Sequence, residues 1–177
     1  MTPELWDSLN KVWIILTLLW VPSIIILYFS ILRNIKKILI FNKDKYISKR
    51  LSWKVSFDYS NNNWKFEIGQ DTQFFELKFS KASDTSIHIY SDPSSIDGIA
   101  IASNKYSIED IEDASIYDMS SRTRTPQKWE IIILKNKNWN YCALKILDIK
   151  DRTRSDKNDE VTFKYLINSE WYKDFRN

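Results

Sequence analysis

Glycine is nearly missing from this chain. It occurs 2 times in 177 residues, where average usage would place about a dozen. Neither Gly69 nor Gly98 stands in a G-x-G-x-x-G or G-x-x-x-x-G-K context, which excludes dinucleotide-binding turns and P-loop phosphate cradles. Histidine and cysteine occur once each, too few for a structural zinc site. Both lie in strand-like segments, His88 between Ile87 and Ile89 and Cys142 between Tyr141 and Ala143, and no Ser-His or Cys-His chemistry is signposted. His88 points away from the apolar face, toward solvent or a lumen, and Cys142 reads as a small hydrophobe. A lone cysteine allows no internal disulfide, which fits a reducing compartment. A calcium loop fits poorly, because the run from Asp151 to Asn158 lacks both the D-x-D-x-D spacing and the turn glycine. The acidic residues Glu109, Asp110, Glu112 and Asp113 read as a solvated face. With no metal ligand set, cofactor motif or acid–base pair, the expectation is a non-enzymatic protein that carries no cofactor.

What is present begins with Val12 to Leu32, 21 residues without a charge, bounded by Lys11 and Arg33. As a helix this run spans roughly 31 Å, close to the ~30 Å hydrocarbon core of a bilayer. A cleaved signal peptide wants a basic leader, a shorter apolar region and a small-x-small site. Glu4 and Asp7, the length of the run and the lack of an A-x-A motif argue instead for a retained transmembrane helix. Only Lys11 precedes the run, whereas Arg33, Lys36, Lys37, Lys43, Lys45, Lys49 and Arg50 follow it, so the C-terminal side is expected in the cytoplasm. Trp6 and Trp13 suit the far interface, and Trp20 and Pro22 fall near mid-span. From Ile35 to Phe41 the helix is expected to continue into, or lie along, the headgroup layer.

Past residue 50 the pattern changes to period two. Strands are expected in Ser52–Tyr59, Trp64–Ile68, Gln73–Ser80, Ser86–Tyr90, Gly98–Ala102, Lys128–Leu134, Tyr141–Ile149 and Val161–Ile167. Ser107 marks a short helix start, and Ala114–Ser120 is a candidate ninth strand. The expected fold class is mainly β: a transmembrane helix in residues 1–50, then an antiparallel β-barrel or sandwich of about eight strands in residues 51–177. Trp53, Trp64, Trp129 and Trp139 read as core and rim aromatics.

Arginine usage supplies the candidate site. Beyond residue 50 there are 13 Lys but five Arg, and four of the five fall in two copies of one tripeptide, Arg122-Thr123-Arg124 and Arg152-Thr153-Arg154. Guanidinium engages phosphate or carboxylate through a planar fork that lysine lacks. If the last three strands form a meander, both tripeptides lie on connections at one end of the sheet and make an oxyanion site. The competing reading pairs these arginines with Asp148, Asp151, Asp156, Asp159 and Glu160 in a solvated network.

A cytoplasm-facing anchor followed by a compact β-domain resembles, in layout, the small membrane-anchored β-domain effectors of bacterial cyclic-nucleotide anti-phage signalling. The resemblance implies a cyclic-nucleotide ligand, homo-oligomerisation and disruption of the bacterial inner membrane; it carries over no residues. The alternative is a tether whose β-domain holds a protein partner at the lipid bilayer. Duplex nucleic acid is not expected as a partner. The formal charge of +3 divides into 8 basic and 3 acidic residues in 1–50 against 18 and 20 in 51–177, so the positive excess sits beside the bilayer segment.

Overall fold

The computed structural model describes residues 2–168 and 172–176, and the chain divides into two units, Met1–Asp44 and Lys45–Asn177. The first unit is one helix, α1, Pro3–Asp44, of 42 residues. Leu and Ile dominate it, Glu4 lies in its first turn where the helix dipole favours an acid, and Pro22 lies inside it. Six consecutive side chains, Ile24, Ile25, Ile26, Leu27, Tyr28 and Phe29, are exposed. At about 100° per residue they occupy the whole circumference of the helix. Among the described residues no helix is long and apolar enough to cross a membrane. The expected span is only partly covered by that statement, because the side chains at 15–21, Trp20 included, lie outside the described residues. So do those at 36–44, which hold Lys36, Lys37, Lys43 and most of the Ile35 to Phe41 segment.

The second unit is mainly β. Among the described residues ten strands form: β1 Ile47–Ser48, β2 Ser52–Phe57, β3 Lys65–Ile68, β4 Phe75–Lys81, β5 Ile87–Tyr90, β6 Ile96–Ile101, β7 Thr123–Arg124, β8 Ile131–Asn136, β9 Tyr141–Lys150 and β10 Glu160–Ile167. They make two five-stranded sheets, in the orders β1-β3-β4-β5-β7 and β2-β10-β9-β8-β6. The alternation explains the stacking. Phe75, Leu77 and Phe79 of β4 point one way and meet Leu144, Ile146 and Phe163 of the other sheet in one buried cluster. Its centre is aromatic: the Phe57 ring lies 4.9 Å from Phe66 and 5.7 Å from Phe79, and Phe79 stacks on Phe163 at 5.8 Å. A second cluster covers the outer face of the second sheet. There Ala100, Ile131, Ile133 and Ala143 receive Ile108, Ile111 and Ala114 from the connection after β6, together with Phe175.

All eight expected strands are present, at slightly different ends, and they form a sandwich of two sheets. Several features depart from expectation. Two extra strands, β1 and β7, are each two residues long, and β1 pairs with β3 in parallel, so the sandwich is not wholly antiparallel. Ala114–Ser120 is not a strand: Ala114–Ile116 is a single 3-10 turn capped by Asp113, whose side chain accepts from Ser115 N. The helix start at Ser107 carries a full capping box but also encloses only one 3-10 turn, Ile108–Asp110. The unit boundary precedes residue 50 because Tyr46 enters the core and Ile47–Ser48 joins a sheet. The four tryptophans are rim rather than core, since Trp53, Trp64, Trp129 and Trp139 are all about half exposed or more. Three of them, Trp64, Trp129 and Trp139, have positive φ, which places them in turns beyond the strand ends.

Candidate functional site

The β8–β9–β10 meander forms as expected, with its first turn at Asn136–Asn140. Asn136 is 1% exposed. Its Oδ1 accepts from Asn138 N and Asn140 N, while its Nδ2 donates to Thr72 O and Phe74 O. That one side chain therefore ties the turn to the neighbouring connection.

The two arginine tripeptides meet different fates. Thr123 and Arg124 do not lie in a free loop, because they form β7 and pair with Tyr90 and Ile89 of β5 at the edge of the first sheet. Arg122, just outside that strand, makes a two-pronged contact with Asp92, Nε to Oδ1 at 2.5 Å and Nη2 to Oδ2 at 2.8 Å. The Arg122 guanidinium, helped by Lys78, holds the Asp92 carboxyl below its ordinary range. Arg124 turns back onto Ile99 O at 3.3 Å and the Asp118 carboxylate at 2.8 Å. The Ser120 hydroxyl first, and Arg124 second, hold Asp118 far below the usual carboxylate range.

Arg152, Thr153 and Arg154 form a 3-10 turn between β9 and β10, ended by Ser155 at φ 80. Its cap is Asp151, whose side chain is 3% exposed. Asp151 Oδ1 accepts from Thr153 N at 2.8 Å, from Thr153 Oγ1 at 2.6 Å and from Lys81 Nζ at 2.9 Å. Lys81 also reaches Asp159 at 2.6 Å, and Asp159 accepts from Arg152 N. The Thr153 hydroxyl, with Lys81, draws the Asp151 carboxyl down to about 2, against the cost of its burial. Beside this cluster Tyr59 donates its hydroxyl to Lys150 O at 3.0 Å. Burial, with Asp159 and Asp151 nearby, pushes that phenol up to about 12. Arg154 lies 3.5 Å from Asp151, and the Arg152 side chain is exposed.

No hydrogen bond or ion pair among the described residues joins one tripeptide to the other. The strand β7 lies on the first sheet, and the 152–154 turn joins two strands of the second. The expected carboxylate pairing holds for Arg154 with Asp151. Asp148 and Glu160 serve Lys128 and Lys150 instead. His88 Nδ1 meets Thr125 Oγ1 at 2.8 Å. Cys142 is fully buried, and burial raises its thiol well above the ordinary value.

A second cationic feature lies between β1 and β2. Lys45, Lys49, Arg50 and Lys54, with Trp53, line an open groove of about 520 Å³ between β1 and β2. In the sequence Lys45, Lys49 and Arg50 serve as topology markers and Trp53 as a rim aromatic. The signal that separates them is the run 45–57, which holds four cations and no acid.

No protein-family model, no curated protein and no solved structure matches this chain.

Proposed function

We propose that this chain is a single-pass, non-enzymatic sensor and effector of the bacterial inner membrane. Its α1 crosses the bilayer, its sandwich lies in the cytoplasm, and the sandwich binds an anionic ligand, with a cyclic nucleotide favoured. Ligand binding shifts a homo-oligomeric equilibrium in the bilayer and breaches it as an antiviral response. The observation that carries the reading is the ring of exposed apolar side chains at Ile24–Phe29. A water-facing helix keeps a polar side, and this stretch has none, so hydrocarbon is its natural solvent. The 21-residue uncharged run and its basic downstream flank support the same reading.

The test has two parts. Full-length chain made with phosphatidylcholine vesicles should float with them and resist alkaline extraction. In nanodiscs, calorimetric titration with cyclic di-, tri- and tetranucleotides should give heat with at least one. Recovery of the chain in the aqueous fraction defeats the anchor, and absence of heat with every nucleotide defeats the ligand assignment. Unchanged binding in an Arg122→Ala, Arg154→Ala double variant removes the tripeptides from the site.

A second reading, a membrane tether for a protein partner, is favoured by Tyr106 and Ile116. These two are 86% and 74% exposed on the connection that covers the second sheet. It expects a stoichiometric protein to co-purify and no small ligand to bind.

A further inference from the structure

Most cations of the sandwich face a carboxylate. Lys65 has Glu76, Lys135 and Lys137 share Asp97, and Arg122 has Asp92. The groove between β1 and β2 differs. Its four cations, Lys45, Lys49, Arg50 and Lys54, make no ion pair among the described residues.

The backbone beneath them is fixed to both sheets. Tyr46 O accepts from Glu67 N at 2.8 Å and Ser48 O from Gly69 N at 2.9 Å, which ties the run to the first sheet. Leu51 O accepts from Ile167 N at 2.7 Å, and Tyr165 donates its hydroxyl to Arg50 O at 3.0 Å, which ties it to the second. The Arg50 guanidinium lies 3.6 Å over the Trp53 ring. Stacking holds the fork flat and leaves its in-plane N–H groups available for a bidentate acceptor. Lys54 stands directly opposite Lys164 across β2 and β10, and Lys164 stands opposite Lys145 across β10 and β9. Glu109, 3.9 Å from Lys164, offsets part of this charge; like charges in register destabilise a sheet, and an anion placed beside Lys54 reduces the repulsion that remains.

From these observations we infer that the groove between β1 and β2 is a binding site for a phosphate ester. Arg50 takes two oxygens through its fork, and Lys49 and Lys54 neutralise the charge. Four cations exceed what one carboxylate balances, whereas a phosphate ester brings strong acceptor oxygens with one charge per diester and about two per monoester. The inference rests on the anion-binding reading above and names a place for it. An anionic lipid headgroup and a soluble nucleotide both offer this chemistry, and the experiment separates them.

Full-length chain in phosphatidylcholine nanodiscs is titrated with inorganic pyrophosphate, followed by calorimetry and by amide hydrogen exchange. A parallel sample replaces part of the phosphatidylcholine with phosphatidylglycerol and receives no pyrophosphate. Slowed exchange across 45–57 is expected in at least one arm: pyrophosphate alone assigns a soluble ligand, phosphatidylglycerol alone a lipid. Arg50→Gln with Lys54→Gln, both exposed positions, should weaken pyrophosphate binding or headgroup protection about a hundredfold, one tenfold step per lost charged contact. Lys173→Gln, an exposed position outside both cationic features, should leave it unchanged. No protection of 45–57 in either arm, or wild-type behaviour of the double variant, overturns the groove. Heat with protection at 152–154 alone overturns the groove while the anion-binding reading survives. Chain left outside the discs defeats the anchor, and the pyrophosphate arm still decides the groove.

Discussion

Replacing Asp151 by asparagine tests how the β9–β10 turn is held. Asp151 is a carboxylate with 3% of its side chain exposed, so its interactions are little screened by solvent. Its ordinary value of 3.8 falls to about 2 in the fold, chiefly through the Thr153 hydroxyl and then Lys81. A carboxylate whose folded value lies below its unfolded value carries stability that is complete above the unfolded value and is lost as pH falls through the folded one. For this shift the contribution is about 2 kcal/mol at neutral pH, about 1 kcal/mol near pH 3 and nearly nothing at about pH 2. Asparagine keeps a carbonyl for Thr153 but cannot ion-pair with Lys81, which is then left to Asp159 alone. The expected loss at neutral pH is therefore about 2 kcal/mol, shrinking steadily between about pH 4 and pH 2. The assay is urea unfolding of both proteins in non-ionic detergent, read by near-ultraviolet circular dichroism across that range. A difference that stays constant as the pH falls, or one below about 0.5 kcal/mol at neutral pH, refutes the reasoning.

Tyr59, pushed up to about 12 chiefly by burial, works in the opposite direction. The folded chain keeps this proton longer than the unfolded one, so stability is full below about pH 10 and falls toward about pH 12; Tyr59→Phe should lack that part of the loss in alkaline urea titrations. Gly69→Ala should cost about 3 kcal/mol or more in urea unfolding, because Gly69 sits at φ +71 and a Cβ would meet Gln73 O at 2.0 Å and Ile167 Cδ1 at 2.9 Å. Asn136→Ala should cost about 2–4 kcal/mol by the same assay, since it strips partners from several backbone groups at a site 1% exposed.

The strands were legible where a sheet buries one face. Phe75-Glu76-Leu77-Lys78-Phe79 can satisfy its apolar face only by alternating, and β4 is there. Strands of two residues leave no period to detect, which is why β1 and β7 went unseen. The loss of β7 had consequences, because placing Arg122 and Arg124 in a loop implied a shared mouth with Arg152 and Arg154. The outer cover of the second sheet was equally hidden. Ile108, Ile111 and Ala114 recur every third residue, a helix-like spacing that here yields only two single 3-10 turns, and Phe175 is far off in sequence; the four meet through tertiary packing. For the groove, Lys45, Lys49 and Arg50 already serve as a charge flank in the sequence, and Lys54 does not figure in it. Only the strand order shows that they face one opening.

The place of β10 in its sheet bears on how the chain is made. β10 lies between β2 and β9, and Ser56 meets Thr162 across a separation of 106 residues. During synthesis at about 5–20 residues per second, β2 leaves the ribosome on the order of 10 s before its only neighbour exists. For that interval β2 has no partner, and its unpaired edge is the kind of surface that pairs with other chains. The helix α1 is complete before any of this begins, so whatever receives it does so while the sandwich behind it is still unformed.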